Sequence, residues 1–424
     1  VRLNSRLLGA VVLLAAGARA QGLGDFLAAA AQRNPDARLS ARAAEKAKAD
    51  AGKALGALLP SLTASGAYTY NEYPAVIAAS PLSSSDITIL PRNQVTASLR
   101  AELPLLDAGR WLTAAAAATS SDAADARQAA TADVVRRHVV ATYFSVVGAR
   151  AVTDSAQRSL GLAKAQLEQT RSRQAAGVAN ELELERAKAE VERNQQVVAD
   201  ALALDATTSR ALRSLSGLEP GALSPLAEDD LHEEAAVEAL EARAEGLPSV
   251  QAADADARAA GQARTAATLA LVPSVGAQFT QQLTNATGFQ GTPHFFNAGL
   301  VLNWRLDVPL MQNLRAQSAA EASATLGAEK ARTEARDLIF GDWQQVRAAI
   351  TKVRSTKAQL TAARRAQALA HERYEAGVAT QLDTIQADRD VFVAEVGEIQ
   401  ARGALAAARL ALRLSSGEPL EVGP

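Results

Sequence analysis

The chain of 424 residues contains no cysteine, which excludes disulfides, a thiolate metal site and a lipid-modified N-terminal cysteine. Aromatic residues make up only 4%, poor material for a bulky globular core; Ala-rich helices packed closely on one another are the alternative. A formal net charge of −2 supplies no basic face for phosphates, so nucleic acid is not an expected partner. His138, His232, His294 and His371 are scattered without the paired spacing of a metal site, and neither a phosphate loop nor a nucleophile elbow is present. An enzyme, a cofactor and a bound metal are therefore not expected. Long hydrophobic runs are missing too. The longest, Leu7 to Ala16, is shorter than the roughly 20 residues of a membrane-crossing helix.

That run has another use. With Arg2 and Arg6 before it and Ala18-Arg19-Ala20 after it, it reads as an export signal over residues 1–20, with the mature chain beginning near Gln21.

The rest of the chain is written twice. Arg173, Gly177, Val178 and Ala179 recur as Arg373, Gly377, Val378 and Ala379, and Ser216-Gly217 recurs as Ser416-Gly417. Each glycine sits between two Ala-rich helical stretches, where a left-handed residue can end one helix and reverse the chain. Pro35 and Pro60 have counterparts in Pro248 and Pro273. A duplicated architecture follows, with repeats over 21–217 and 218–424.

After Pro60 and Pro273 the hydrophobic period changes from helical to alternating. Strands are expected at about 61–73, 93–106, 274–285 and 294–307, each apolar on one face and polar on the other. Such faces suit a sheet between lipid and water, and about 10 residues suffice for a tilted strand to cross a bilayer. Tyr70, Tyr73, Phe295, Phe296 and Trp304 lie towards strand ends, where aromatic girdles form. Four strands cannot close a barrel, so a barrel would be shared between chains. The first copy is longer between its strands, in the turn-rich stretch from Pro74 to Pro91, as suits an outer loop.

Helical hairpins are expected at about 109–216 and 309–416, with tips near 177 and 377. Their first arms run without proline for roughly 100 Å and their second arms for about 50 Å, at 1.5 Å per residue. Helices of that length belong to a coiled coil or a tube wall. A shorter helix is expected from about Asp229 to Ala244, in a belt between the copies.

This combination resembles the TolC family of outer-membrane efflux channels over essentially the whole mature chain. The resemblance implies a mostly α fold with a transmembrane β part, made of two tandem repeats of helix–strand–strand–long helix–short helix. It implies a homotrimer whose 12-stranded β-barrel continues into a 12-helix α-barrel. The barrel would sit in outer-membrane lipid of a Gram-negative-type cell, with the helical tube in the periplasm. The implied function is the exit duct of a tripartite system, passing drugs, solvents or metal ions from an inner-membrane pump through a periplasmic adaptor. An exit duct for type I protein secretion is the alternative. A periplasmic adaptor is a rival of a different class, although it would carry one hairpin and not two.

By the same resemblance, Arg173, Gly177, Val178, Ala179, Arg373, Gly377, Val378 and Ala379 form adaptor-docking tips. Glu183 and Asp383 match acidic positions of a periplasmic gate, where three chains would make carboxylate rings whose mutual repulsion raises their pKa values. Tyr374 matches a helix-linking tyrosine. Two departures stand out: Gln386 replaces a second acidic residue, and Ala379 replaces an arginine link partner. Since the first tip has no aromatic residue of its own, the gate is expected to lean on the second hairpin.

Overall fold

A computed structural model describes residues 20–78 and 86–420. The expected export signal lies outside them apart from Ala20, as does part of the long first loop. The chain divides into two compact units, each drawing on both halves of the sequence.

One unit comprises residues 40–130 and 248–334. Its sheet holds β1 (Ser61–Tyr70), β4 (Asn93–Leu106), β5 (Ser274–Thr284) and β6 (His294–Asn303) in the order β1-β4-β5-β6. All neighbours are antiparallel, and the central pair, with Thr96 opposite Thr284, joins the two halves of the sequence. The register keeps chemistry segregated: Leu62 faces Ala101, Ala64 faces Leu99, and Thr63 faces Arg100. Both faces are open. Leu62, Tyr68, Phe296 and Leu300 are exposed on the apolar face, an area that in water alone would be a large uncovered patch.

Two strands end sooner than their alternation suggested. β1 stops at Tyr70 and not 73, because Asn71 turns the chain by bonding Pro91 O through its side chain at 2.8 Å and Arg92 O through its N–H at 2.8 Å. β6 stops at Asn303 and not 307. There Asp307 pairs with Arg305 at 2.5 Å and accepts from Leu310 N at 3.0 Å, starting the next helix. The long first loop carries a small hairpin of its own, β2 (Ala75–Ile77) with β3 (Ile87–Leu90).

Beside the sheet run α2 (Pro35–Gly56), α6 (Pro248–Leu269) and the first parts of α3 (Ala108–Ala175) and α7 (Val308–Glu375). Ala252, Ala255, Ala259, Ala266 and Ala267 of α6 are buried, so small side chains let the helix backbones approach closely. On its flanks α6 reaches both long helices. Thr119 bonds Gln262 at 2.8 Å, and Arg332 pairs with Asp254 at 2.7 Å.

The other unit, residues 20–39, 131–247 and 335–420, is helical. It contains α1 (Leu23–Arg33), the later parts of α3 and α7, α4 (Glu181–Ser216), the five-residue α5 (Val237–Glu241) and α8 (Gln381–Ser415). Its main core sets Leu23 and Phe26 of α1 against Val139, Tyr143 and Val146 of α3 and Leu212 of α4. Phe26 is fully buried with its ring 5.7 Å from that of Tyr143; burying one such side chain contributes about 1.5–3 kcal/mol. Farther along, Val152 and Ala156 of α3 and Ala201 of α4 meet Phe392, Val396 and Ile399 of α8.

The helix expected at 229–244 is largely absent. Only α5 and a single 3-10 turn, Ala244–Gly246, form there, and residues 218–236 run as an irregular strap. Side-chain competition for the backbone explains it. Asp229 accepts from Leu231 N at 2.7 Å, Leu231 takes a left-handed φ of 57°, and Trp343 donates to Ala235 O at 2.9 Å. Arg409, almost fully buried, grips Asp229 through two bonds, pairs with Glu234, and donates to His232 O at 2.9 Å. Among the described residues no helix is long and apolar enough to cross a membrane.

Candidate functional site

The two hairpin tips have the same backbone construction. α3 ends at Ala175 and α7 at Glu375, and Gly177 and Gly377 each take a φ of 75°. In each tip the N–H of the valine bonds the carbonyl of the arginine five residues earlier at 2.9 Å, and the following alanine N–H shares that carbonyl at 3.2 Å. No atom crowds a Cβ at either glycine, so conformation alone demands the residue. Val178 and Val378 are then left 66% and 65% exposed, a matched apolar pair at the outermost turns.

The returning helices are capped differently. Asn180 accepts from Glu183 N at 2.9 Å and starts α4. Thr380 starts α8 with a reciprocal box: Asp383 accepts from Thr380 N at 2.7 Å and from Thr380 Oγ1 at 2.8 Å. These bonds from Thr380, first to its backbone N–H and then to its hydroxyl, with the charge of Arg373 nearby, hold the Asp383 carboxyl below its usual range. Within one chain the direction is thus opposite to the upward shift that ring repulsion suggested. The Glu183 side chain is not used for capping, and its Oε2 is out of solvent without a hydrogen-bond partner among the described residues. Gln386 bonds Asp390 of its own helix at 2.9 Å.

The tips are also tied together. The guanidinium of Arg173 lies over the ring of buried Tyr374, 4.8 Å from its centroid. The first tip thus borrows its aromatic partner from the second. Beside this contact Gln381 Nε2 donates to Thr170 Oγ1 at 3.1 Å, with both side chains about 1% exposed. Arg373, by contrast, is exposed.

Farther from the tips, Arg389 of α8 pairs with Glu190 of α4. Arg158 and Ser155 of α3 both reach Glu395 of α8, at 2.8 and 2.7 Å. These links surround a cavity of about 230 Å³ between the four helices. Inside the second hairpin His371 Nε2 lies 2.9 Å from Asp388 Oδ1, which also accepts from Gln367. The sequence reading named none of Thr170, Gln381, Glu190, Arg389 or Glu395. Their polarity at helical spacing is visible, but a pairing between helices some 200 residues apart leaves no local signal. Among the described residues no group of His, Asp and Glu could hold a metal ion.

The fold has known counterparts. CusC aligns at 16% identity with a TM-score of 0.80, over 94% of this chain and 93% of that one. A membrane protein from Pseudomonas aeruginosa aligns at 21% identity and a TM-score of 0.79, over 93% of both chains. The CmeC outer membrane channel of Campylobacter jejuni aligns at 18% and 0.78, over 93% of this chain and 85% of its own. No curated protein matches the sequence. The family model described as outer membrane efflux protein matches residues 26–218 and 239–418, leaving out only the strap and α5's first turn between the two segments. The two hairpins, the four membrane-type strands and nearly all of the described chain fall within that match, and the chain belongs to the outer membrane efflux protein family.

Proposed function

We propose that the chain is one protomer of a homotrimeric exit duct, through which an inner-membrane pump and a periplasmic adaptor send small molecules across the outer membrane. The observation that carries this reading is the sheet. It has one apolar and one polar face, both open, and ends in β1 and β6 with no further strand beside either among the described residues. Three such sheets joined edge to edge make twelve strands, an even number as bacterial barrels require. In that assembly the apolar face meets lipid and the polar face lines water.

The hairpins supply the periplasmic tube, and their tips meet the adaptor. Val178 and Val378 give the apolar contact, the left-handed glycines shape the turns, and Arg373 adds an exposed charge. The contacts of Arg173 with Tyr374 and of Thr170 with Gln381 hold the tips together as the closed state, while Glu183 supplies a carboxylate there whose Oε2 has no partner among the described residues. Residues 1–20 direct export, and the repeats 21–217 and 218–424 arose by duplication. Nothing in this construction selects between cargo classes.

Native mass spectrometry of detergent-extracted protein should give a trimer, and planar bilayers should show discrete conductance steps. A monomer that inserts into no bilayer would remove the proposal. In cells, Gly377→Pro should abolish efflux while leaving trimers intact; unchanged efflux would remove the docking role of the tips.

A further inference from the structure

The four strands of the main sheet contain one Arg and one acidic residue, and no other Lys, Arg, Asp or Glu. The two are Arg100 and Glu102, both on β4 and both on its polar face. Arg100 stands opposite Thr63 on β1 and Thr280 on β5, and Glu102 opposite Ser61 and Gln278. Their charged groups are 3.7 Å apart and about half exposed. The rest of the strand lining is neutral and bonded to itself, with Ser65 to Ser98 at 2.7 Å and Thr96 to Thr284 at 3.3 Å; just beyond β4, Asp107 and Arg110 line the same cavity as Glu102 and cancel each other as a pair at 2.9 Å. Because Ser61 is the first residue of β1, the ion pair sits at the end of the sheet where the chain arrives from α2.

We propose that Arg100 and Glu102 determine the charge selectivity of the membrane part of the duct, and that their mutual cancellation makes it pass anionic and cationic cargo alike. The inference rests on the reading that the polar face lines the pore. A close pair of opposite charges has a field that fades within a few ångströms. Removing either partner leaves one net charge per chain, felt over about 10 Å at 0.1 M salt and about 30 Å at 0.01 M. Any sorting by charge is then left to the helical tips.

The test is the reversal potential of single channels in a KCl gradient whose dilute side is about 10 mM, where screening is weak. All channels carry Glu183→Gln and Asp383→Asn, so that the tip carboxylates do not mask the result. Glu102→Gln should favour chloride and Arg100→Gln potassium, each changing the permeability ratio roughly twofold or more. The double variant should return to the starting ratio. Ratios that stay fixed, or both single variants shifting in one direction, overturn the proposal.

Since the chain has no cysteine, Ser98→Cys and Leu99→Cys report the pore reading separately. A charged, membrane-impermeant thiol reagent should alter current only through Ser98→Cys. If that holds while the charge variants do nothing, the pore reading stands and the selectivity assignment falls. If only Leu99→Cys responds, both fall.

Discussion

The guanidinium of Arg173 on the first tip lies 4.8 Å from the ring centroid of Tyr374 on the second, although the two residues are separated by nearly half the chain. The contact joins the two hairpins at their outermost turns. An Arg–aromatic contact of this kind contributes about 0.5–2 kcal/mol, depending on how far it is removed from water. Tyr374→Leu keeps an apolar side chain at the position and removes the ring with its quadrupole, so it should shift the closed-to-open balance of the tips by roughly twofold to thirtyfold. Single-channel open probability measures this directly. An open probability equal to that of the parent protein would show that the contact does not hold the tips.

The second cross-hairpin bond predicts a larger effect. Gln381 and Thr170 are both almost fully out of solvent. Thr170→Val strips the hydroxyl at nearly constant volume and leaves the buried Gln381 amide without its acceptor, which costs about 1–3 kcal/mol. Hydrogen exchange at the start of α8 should quicken, while the strands keep their protection.

Asp383 predicts a dependence on pH. Its carboxyl is held below the usual range by the bonds from Thr380. A depressed folded-state pKa means that the cap is fully effective above the unfolded value of about 3.9 and is lost as pH falls through the lower folded value. Slow exchange of the first amides of α8 should therefore persist through neutral pH and disappear only in acid below that range. Asp383→Asn should abolish this acid transition, and a transition that survives the substitution would have another source.

Arg409 of α8 is the most heavily bonded side chain that reaches the strap, and it is nearly buried. Arg409→Met preserves the stem but leaves Asp229 and Glu234 without their cation. Loss of one partner from a buried ion pair costs up to about 3–5 kcal/mol, with the lower end expected here because both acids retain some solvent. Limited proteolysis should then cut between residues 224 and 236 before any helix is cleaved.

Much of this was legible locally. The change of period after Pro60 and Pro273 falls where β1 and β5 begin, at Ser61 and Ser274. The glycines at 177 and 377 mark the tips because a left-handed residue has a strong compositional signature. The strap was misread as a helix for an equally physical reason. Its run of Glu, Ala and Leu has good helix propensity, but that propensity amounts to tenths of a kcal/mol per residue. The bonds of Arg409, 180 residues away from Asp229, outweigh it. The partners across the hairpins were hidden likewise. Thr170 and Gln381 are ordinary residues until the fold brings them together.

The strap is also held by what the helices reach for. Arg150 donates to the carbonyls of Pro220 and Gly221, Arg402 to that of Leu226, Arg354 to that of Leu231, and Trp343 to that of Ala235. All of these acceptors are main-chain atoms, which every amino acid possesses. The instructions for the path of this segment are therefore written largely in α3, α7 and α8, with Asp229 and Glu234 as the strap's own side-chain anchors. The family match breaks off over residues 219–238, where the course of the chain is set by its neighbours. Main-chain acceptors ask for no particular letter, so a strap that keeps the two acids for Arg409 can follow the same course with many of its other residues changed.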